Sequence, residues 1–371
     1  MPIVSGRVEP GFERVRDVFA AQVAQGVELG VGFAAVLRGA VVVDLIGGWA
    51  DRAQTIPWSP ATLTPVYSTT KPIAALVLAM LVDRGALEWD QPVAAVWPEF
   101  AAHGKDRVTI AEALSHQAGV PGFLEPIDPA LWLDPPALAA ALAAIEPLWP
   151  PGEAHGYHPL TYGFIAGELV RRATGRSLGA ILHEDICAPH GIDFWIGLPD
   201  AEHARCADIA RPKDLPQLGP LNDAKRAAFL TRWAAPDRGG AAWRRAEIPS
   251  ANGHGTALSV AQLYGMLNDG RLGDAQILSD AAIAALHARR ADGDDLVLPF
   301  RIDWRTGVMG NSNGFYGPNA ETLGHSGWGG SCGFADREAQ LSAAYVMNKQ
   351  SNHLMGDPRA RALIDALYAC L

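Results

Sequence analysis

Val66 to Val82, VYSTTKPIAALVLAMLV, is the stretch that decides the fold. Residues 73–82 are apolar without interruption, and a run about half as long as a bilayer span predicts a helix buried in a protein core. Pro72 fits only the first turn of such a helix, where its missing N–H has no partner to lose. The stretch therefore predicts a core helix that begins close to Ser68.

Ser68 and Lys71 stand three residues apart at the entrance of this helix. Residues at this spacing share a helix face, so the serine Oγ and the lysine Nζ can come within hydrogen-bond distance. Free N–H groups at a helix N-terminus favour a developing oxyanion, and a lysine desolvated by apolar neighbours can act as a base. The pair is equally typical of a capping serine and a lysine that reaches solvent, so these residues alone leave both interpretations open.

The composition predicts a globular protein that binds a small molecule. The chain has 371 residues, 49% of them hydrophobic, which is enough to bury an ordinary core. Its formal net charge is −10 and its isoelectric point is about 5.5. Because no basic stripe accompanies this acidic balance, nucleic acid and anionic membrane surfaces are poor partners. Nothing in the pattern indicates the oligomeric state.

Early charged residues and scattered cysteines predict a cytoplasmic location. Glu9, Arg14, Arg16 and Asp17 fall where a secretory signal needs an apolar segment. The four cysteines lack C-x-x-C spacing, which is typical of a reducing compartment and of neither a disulfide framework nor a zinc site.

Alternating apolar patterns at both ends of the chain predict one antiparallel sheet. VGFAAVL at 31–37 and AVVVDLIGG at 40–48 have the pattern of a strand hairpin, and GSCGFA at 330–335 with LSAAYVMN at 341–348 predicts a second pair. A closing helix is predicted from residue 358 onwards. The first and last strands would thus share one sheet.

The middle of the chain has helical patterns separated by loops rich in proline and glycine. We therefore predict an α/β fold of the α+β kind, with a sheet domain of residues 1–62 and 300–371 and a mainly helical inserted domain of residues 63–299. The predicted helices of this domain include residues 73–84, 109–114, 136–145 and 162–172.

Five segments of the chain, taken in order, match a known pattern. They are VYSTTKP at 66–72, LSHQAGVPGF at 114–123, PGEAHGYHPLTYGFIAGELV at 151–170, ANGHGTALSVAQLYGMLNDG at 251–270 and GHSGWGG at 324–330. The first resembles the S-x-x-K-P element of the serine β-lactamase and penicillin-binding-protein superfamily, and the series is most similar to class C β-lactamases and family VIII carboxylesterases. The resemblance implies a β-lactamase-like fold with the site between sheet and helical region, and it favours Ser68 and Lys71 as catalytic.

The resemblance places a catalytic tyrosine at Tyr157. A tyrosine held by Lys71 can relay the serine's proton to the leaving group, and either of the two side chains can take that proton first. The alternative for Tyr157 is a core tyrosine. His155 and His158 flank it with H-x-x-H spacing, but the loop offers little else that could bind a metal, so we predict no metal there.

The segment at 324–330 departs from the class C pattern, in which the third motif is Lys-Thr-Gly. A W-x-G element resembles this motif in family VIII carboxylesterases, so we align Trp328 to Gly330 with it. This alignment implies the N–H of Ser331 as the second oxyanion donor. If His325-Ser-Gly is the match instead, the donor becomes the N–H of Trp328, and His325 either polarises the oxyanion region or bonds to backbone.

Five of the eleven tryptophans fall in or near regions that the resemblance places around the cleft. We assign a functional role to Trp328 alone, because most buried tryptophans serve packing. The five are Trp149, Trp233, Trp243, Trp304 and Trp328.

Two departures from the family indicate the substrate class. The class C asparagine two residues after the tyrosine is Pro159 here, and the lysine of the third motif is missing, so groups suited to an anionic lactam are lost. We therefore predict a serine hydrolase that cleaves short-chain carboxylic esters through an acyl-enzyme on Ser68, with no metal or organic cofactor. The alternatives are a β-lactamase or D-Ala-D-Ala peptidase-like enzyme, an amidase of short linear amides, an acyltransferase and a catalytically silent binding protein.

Overall fold

Strands near both ends of the chain and helices between them make up the structure, a computed structural model that describes residues 4–214, 216–230 and 239–371. The strands are β1 (Val4–Val8), β2 (Gly30–Leu37), β3 (Ala40–Gly48), β4 (Thr64–Pro65), β5 (Phe194–Trp195), β6 (His254–Gly255), β7 (Arg271–Leu272), β8 (Ala275–Gln276), β9 (Arg289–Asp294), β10 (Arg301–Arg305), β11 (Met309–Gly310), β12 (Leu323–Ser326), β13 (Cys332–Asp336) and β14 (Leu341–Met347). The helices are α1 (Glu13–Ala24), α2 (Thr70–Asp83), α3 (Val93–Val96), α4 (Ile110–Leu114), α5 (Pro135–Ala143), α6 (Thr161–Thr174), α7 (Leu178–Ile181), α8 (Asp223–Lys225), α9 (Ala241–Arg245), α10 (Ala257–Asp269), α11 (Asp280–His287) and α12 (Pro358–Tyr368).

Within the described residues, nine strands form one antiparallel sheet in the order β1-β3-β2-β14-β13-β12-β11-β10-β9. The two ends of the chain meet at its centre, where β2 pairs with β14 and Val31 lies opposite Met347. The predicted fold class is confirmed, with both predicted strand pairs in place. β1 and the strands β9 to β12 are additions that the sequence did not predict. The division of the chain at residues 62 and 300 stays a prediction, and the sheet also includes β9, which precedes residue 300.

The two faces of the sheet bury different cores. Alternate residues of a strand point to opposite faces, and β14 follows this rule. Ala344 and Val346 belong to the core that the central helices complete, whereas Ala343 and Tyr345 pack with α1 and α12. A sheet covered on both faces explains why its central strands are almost continuously apolar.

Helix α2 lies at the centre of the helical region. Its residues 70–81 are all buried, and α6, α10 and α11 pack around it, as expected for a helix that is apolar on every side. A 3₁₀ turn, Tyr67–Thr69, leads into it, so Ser68 stands at its N-terminal end and Pro72 in its first turn, as predicted. In the part of the chain that the structure describes, no helix is long and apolar enough to cross a membrane.

Helix α10 packs against the sheet and also contacts the start of α2. The ring of Tyr264 packs so closely on Gly333 of β13 that a Cβ there would lie 2.8 Å from the ring. The hydroxyl of Tyr264 donates a hydrogen bond of 2.9 Å to the carbonyl oxygen of Thr69. The turn that carries Ser68 is therefore held against the sheet by a buried side chain.

Candidate active site

The turn that carries Ser68 is strained and supported from several sides. Tyr67 has a φ of 49°, a left-handed conformation that costs a residue with a side chain about 1–2 kcal/mol. The Thr70 hydroxyl donates to the Tyr67 carbonyl oxygen at 2.5 Å and accepts from the Gly253 N–H at 3.0 Å. These bonds fix the turn so that Ser68, half-buried, lines a cleft.

Lys71 is the centre of the site, with 1% of its surface exposed. Its Nζ donates to the carbonyl oxygens of Pro159 at 2.7 Å and Ser250 at 3.0 Å, and lies 3.2 Å from Ser68 Oγ and 2.9 Å from the Tyr157 hydroxyl. Because burial disfavours the charged form, the pKa of Lys71 is well below its usual value. A neutral amine has two protons for the two carbonyls, which leaves its lone pair to face the two hydroxyls.

Tyr157 is held by its backbone and its ring. Its N–H donates to Asp295 Oδ1 at 2.9 Å, and its ring is parallel to that of Trp304 at a centroid distance of 5.8 Å. Burial raises the pKa of the Tyr157 hydroxyl, and a hydrogen bond with Ser68 lowers it to a smaller extent. Tyr157 is therefore a neutral phenol beside Lys71 and Ser68.

Asp295 is a buried carboxylate that the sequence analysis missed. It binds the loop of Tyr157 to the β9–β10 connection, and so it sets the position of that tyrosine. No local pattern around it signals this role. The groups within hydrogen-bond distance of its two oxygens are the N–H groups of Tyr157, Val297 and Leu298, the indole N–H of Trp304 and the Nδ1 of His155, at 2.8–3.2 Å.

The histidines near Tyr157 are bonded within the protein. His158 donates from Nδ1 to the Gly156 carbonyl at 2.6 Å and accepts at Nε2 from the Val120 N–H at 3.1 Å, and burial lowers its pKa to about 4. His116, from the segment LSHQAG, accepts from the His158 N–H at 3.1 Å. Both ring nitrogens of His158 therefore already have hydrogen-bond partners within the protein. His155 and His158 do not form a pair of metal ligands in this arrangement.

The third motif lies where β12 ends. His325 and Trp328 line the cleft beside Ser68, whereas Gly330 and Ser331 do not line it. The Ser331 hydroxyl donates instead to the Val66 carbonyl oxygen at 2.8 Å. This arrangement favours the alignment of the third motif with His325-Ser-Gly over the one with Trp328-Gly-Gly.

The peptide between Gly327 and Trp328 has a defined direction. Its carbonyl oxygen, on Gly327, accepts a 3.0 Å hydrogen bond from the Gly330 N–H inside the turn. In a trans peptide the C=O and N–H groups point in opposite directions, so the N–H of Trp328 points out of the turn.

Apolar and aromatic side chains form most of the cleft wall. The cleft holds about 800 Å³, including its open mouth. No described residue in its wall is an aspartate, glutamate, lysine or arginine. The aromatic residues of the wall include Tyr67, Trp132, Phe229, Trp243 and Trp328. Its other large apolar residues are Leu160, Ile248, Leu298, Met309, Leu354 and Met355.

The tryptophans named from the sequence separate into two groups. Trp243 and Trp328 line the cleft, so Trp243 is a site residue that the sequence analysis left aside. Trp149 and Trp304 do not line the cleft and belong instead to the core that includes α1 and α12. Trp233 lies outside the described residues.

Comparison with known proteins agrees with the geometry. The family model described as Beta-lactamase matches residues 15–368. The chain belongs to the beta-lactamase family. Among curated members it is 34% identical over 366 residues to the Esterase/beta-lactamase LipL of Mycobacterium tuberculosis, covering 93% of this chain and 83% of that protein. It is thus a hydrolase of this beta-lactamase-like group of serine enzymes, with relatives named as esterases.

Solved structures in the beta-lactamase family extend the likeness over the whole chain. A penicillin-binding protein homolog from Caulobacter crescentus is 54% identical with a TM-score of 0.97, and a family VIII carboxylesterase is 42% identical with a TM-score of 0.93. Each comparison covers 100% of both chains. The predicted resemblance to family VIII carboxylesterases is confirmed.

Proposed function

We propose that this protein hydrolyses short-chain carboxylic esters through an acyl-enzyme on Ser68. The observation that carries the proposal is the environment of Lys71, whose two carbonyl partners leave the lone pair of a neutral amine for Ser68 and Tyr157. An amine that burial keeps neutral can accept a proton from either neighbouring hydroxyl, which is what activation of a serine nucleophile requires.

Acylation begins when Ser68 Oγ attacks the ester carbonyl carbon. Its proton passes to the Lys71 amine, which we assign as first base because burial lowers the pKa of Lys71 and raises that of Tyr157. The new O–C bond produces a tetrahedral oxyanion. When the ester C–O bond breaks, Tyr157 donates its proton to the leaving alkoxide and recovers one from Lys71, so that both groups return to their starting state.

We propose the N–H groups of Ser68 and Trp328 as the oxyanion donors. Ser68 stands at the N-terminal end of α2, where backbone N–H groups are free. Trp328 lines the same cleft, and its N–H points out of the 327–330 turn. The N–H of Ser331, implied by the first alignment, lies beside a side chain that binds Val66 behind the cleft.

Deacylation follows the same route with water as the nucleophile. Water attacks the acyl carbon and gives its proton to the Tyr157–Lys71 pair, and the pair then returns that proton to Ser68 Oγ as the acyl–oxygen bond breaks. The carboxylic acid leaves, and no metal or organic cofactor enters the scheme.

An uncharged ester is the substrate class that the cleft supports best. Its wall is apolar and aromatic, and the described residues in it include no lysine or arginine that could bind a carboxylate. The esterase names of LipL and of the family VIII carboxylesterase support the same class. Ring opening of a β-lactam is the second candidate, since the name of LipL couples the two activities and Ser68 would serve both.

The proposal is tested with short-chain p-nitrophenyl esters and a β-lactam in parallel. We expect p-nitrophenol release from the acetate and butyrate esters, a loss of roughly 10⁴-fold or more in Ser68→Ala, and a comparable loss in Lys71→Ala. Tyr157→Phe tests the relay, with an expected loss of roughly 10²–10⁴-fold. Activity that survives in Ser68→Ala, or a β-lactam cleaved much faster than either ester, would overturn the proposal.

A further inference from the structure

One nitrogen of the His325 ring is a buried acceptor without a partner. His325 is 2% exposed, and its Nδ1 lies 2.8 Å from the carbonyl oxygen of Ser326. Since a carbonyl oxygen only accepts, Nδ1 carries the hydrogen and the neutral ring has its lone pair on Nε2. That Nε2 has no hydrogen-bond partner among the residues that the structure describes. Buried polar atoms of this kind are rare in folded proteins, because each loses its hydration without compensation.

The ring that carries the unpartnered nitrogen lies in the wall of the reaction cleft. His325 lines the cleft together with Ser68, and its ring centroid is 5.8 Å from that of Tyr157. The next residue along the chain, Ser326, also lines the cleft, and its Oγ is already bonded to the Tyr316 hydroxyl at 3.0 Å. A molecule that occupies the cleft is therefore the natural source of the missing donor.

His325 is suited to accept a hydrogen bond and poorly suited to other roles. Burial lowers its pKa to about 3, so the ring stays neutral at ordinary pH. A base with so low a pKa takes a proton from water inefficiently at neutral pH. A neutral ring also cannot attract a carboxylate, and its Nε2 lone pair would repel one.

We propose that His325 Nε2 accepts a hydrogen bond from the substrate, and that the preferred esters carry an uncharged O–H or N–H donor a few bonds from the scissile carbonyl. The inference rests on the proposed esterase function and narrows its substrate class. Binding such a donor satisfies an acceptor that otherwise stays unpaired, so the gain is specific to esters that can donate. An ester of equal size without a donor leaves Nε2 unpaired.

The test compares pairs of esters that differ only in the donor. p-Nitrophenyl N-acetylglycinate and p-nitrophenyl levulinate differ by N–H against CH₂ at one position, and the 3-hydroxybutyrate and butyrate esters differ by one hydroxyl. For each pair, the ratio of kcat/KM values is measured and divided by the ratio of the uncatalysed hydrolysis rates. This ratio is independent of the fraction of active protein, because both esters are offered to the same sample.

Two variants of His325 identify the atom responsible. His325→Gln keeps an acceptor at a similar reach, and His325→Leu removes it. We expect the wild type to favour the donor ester of at least one pair by about three- to tenfold, Gln to keep part of that preference, and Leu to lose it.

The outcomes separate this inference from the proposed function. A wild type without preference in either pair would overturn it, and this result needs no variant to fold. A preference that His325→Leu retains would also overturn it, because the acceptor would then lie elsewhere. In both cases Ser68-dependent turnover of the plain esters would leave the proposed function intact, whereas absence of turnover of every ester would remove the proposed function itself.

Discussion

At the scale of single residues, the proposed function depends on the charge state of Lys71. A lysine in water is an ammonium ion with no lone pair and cannot act as a base. In this protein, burial among apolar residues of α2 lowers its pKa, and the carbonyl oxygens of Pro159 and Ser250 bind its protons. The same desolvation that makes the amine reactive reduces the stability of the fold, because the unfolded chain can protonate it freely.

This cost gives the first prediction, a difference in the pH dependence of stability. Between the depressed pKa and the usual 10.5, the unfolded chain holds one proton on Lys71 that the folded chain lacks, so the free energy of unfolding rises with pH. In Lys71→Met this contribution disappears. We expect the wild-type slope to exceed that of the variant by up to about 1.4 kcal/mol per pH unit between pH 7 and 9, measured by urea unfolding at several pH values.

Other titrating groups do not obscure this comparison. The buried tyrosines and cysteines are present in both proteins, so their contributions cancel in the difference. The carbonyl oxygens that lose their donor in Lys71→Met change the stability by an amount that does not depend on pH. Parallel slopes would mean that Lys71 is charged in the folded protein, and Tyr157 would then have to be the first base.

At the scale of elements, the site forms where the turn before α2 meets the end of β12. Gly327 is the contact point, because a Cβ at this position would lie 2.2 Å from both the Val66 carbonyl oxygen and Ser331 Oγ. Only a residue without a side chain lets the proposed oxyanion donors of the two elements, the N–H groups of Ser68 and Trp328, approach each other. The elements are thus in direct backbone contact, and a displacement of one moves the N–H of Trp328 relative to Ser68.

The second prediction concerns this contact. We expect Gly327→Ala to separate the two elements and to lower kcat by roughly 10²-fold, since a shift of about 1 Å in a catalytic group is enough for such a loss. Gly167→Ala in α6 is the matched control, because its Cβ would meet only Pro249 Cγ, at 3.8 Å, and alanine favours a helix. We expect the control to keep its activity and to be stabilised by up to about 1 kcal/mol. A Gly327→Ala protein with unchanged kcat would show that the contact does not position the donors.

The elements that the sequence predicted are those with a local signal. The hairpin β2–β3, helix α2 and the closing helix α12 follow from apolar periodicity within a short window. Strands β9 to β11 have little such periodicity, and their place in the sheet depends on partners distant in sequence. Asp295 shows the same limit within the site, because its role depends on N–H donors that the fold assembles around it.

The sequence left two possible alignments of the third motif and could not decide between them. Both His325-Ser-Gly and Trp328-Gly-Gly offer a glycine that lets a backbone approach closely. What distinguishes them is the backbone path after β12, which turns Ser331 towards Val66 and leaves Trp328 at the cleft. That path depends on how residues 327–331 pack against the turn before α2. No pattern in the neighbouring sequence predicts this packing.

At the scale of the whole molecule, the sheet can be completed only when both ends of the chain are present. β2 lies between β3 and β14, so the strand before the helical region has its second partner near the end of the chain. Such long-range pairing is typical of slow folding.

The charge of the whole molecule leads to the last prediction. The chain carries a formal charge of −10 at pH 7, while the described wall of the cleft has no charged side chain. An anionic ester is therefore repelled by the overall field without a local cation to offset it, and a neutral ester is indifferent to it. Between about 10 mM and 500 mM salt the field is screened, so we expect kcat/KM for p-nitrophenyl hemisuccinate to rise roughly several-fold. We expect kcat/KM for p-nitrophenyl butyrate to stay constant over the same range. Stopped-flow or initial-rate assays at constant pH suffice, with the Debye length falling from about 30 Å to a few ångström over this range. A hemisuccinate rate that falls with salt would mean that the anion meets a local positive potential at the cleft, in which case a carboxylate-bearing lactam would regain its place as a substrate.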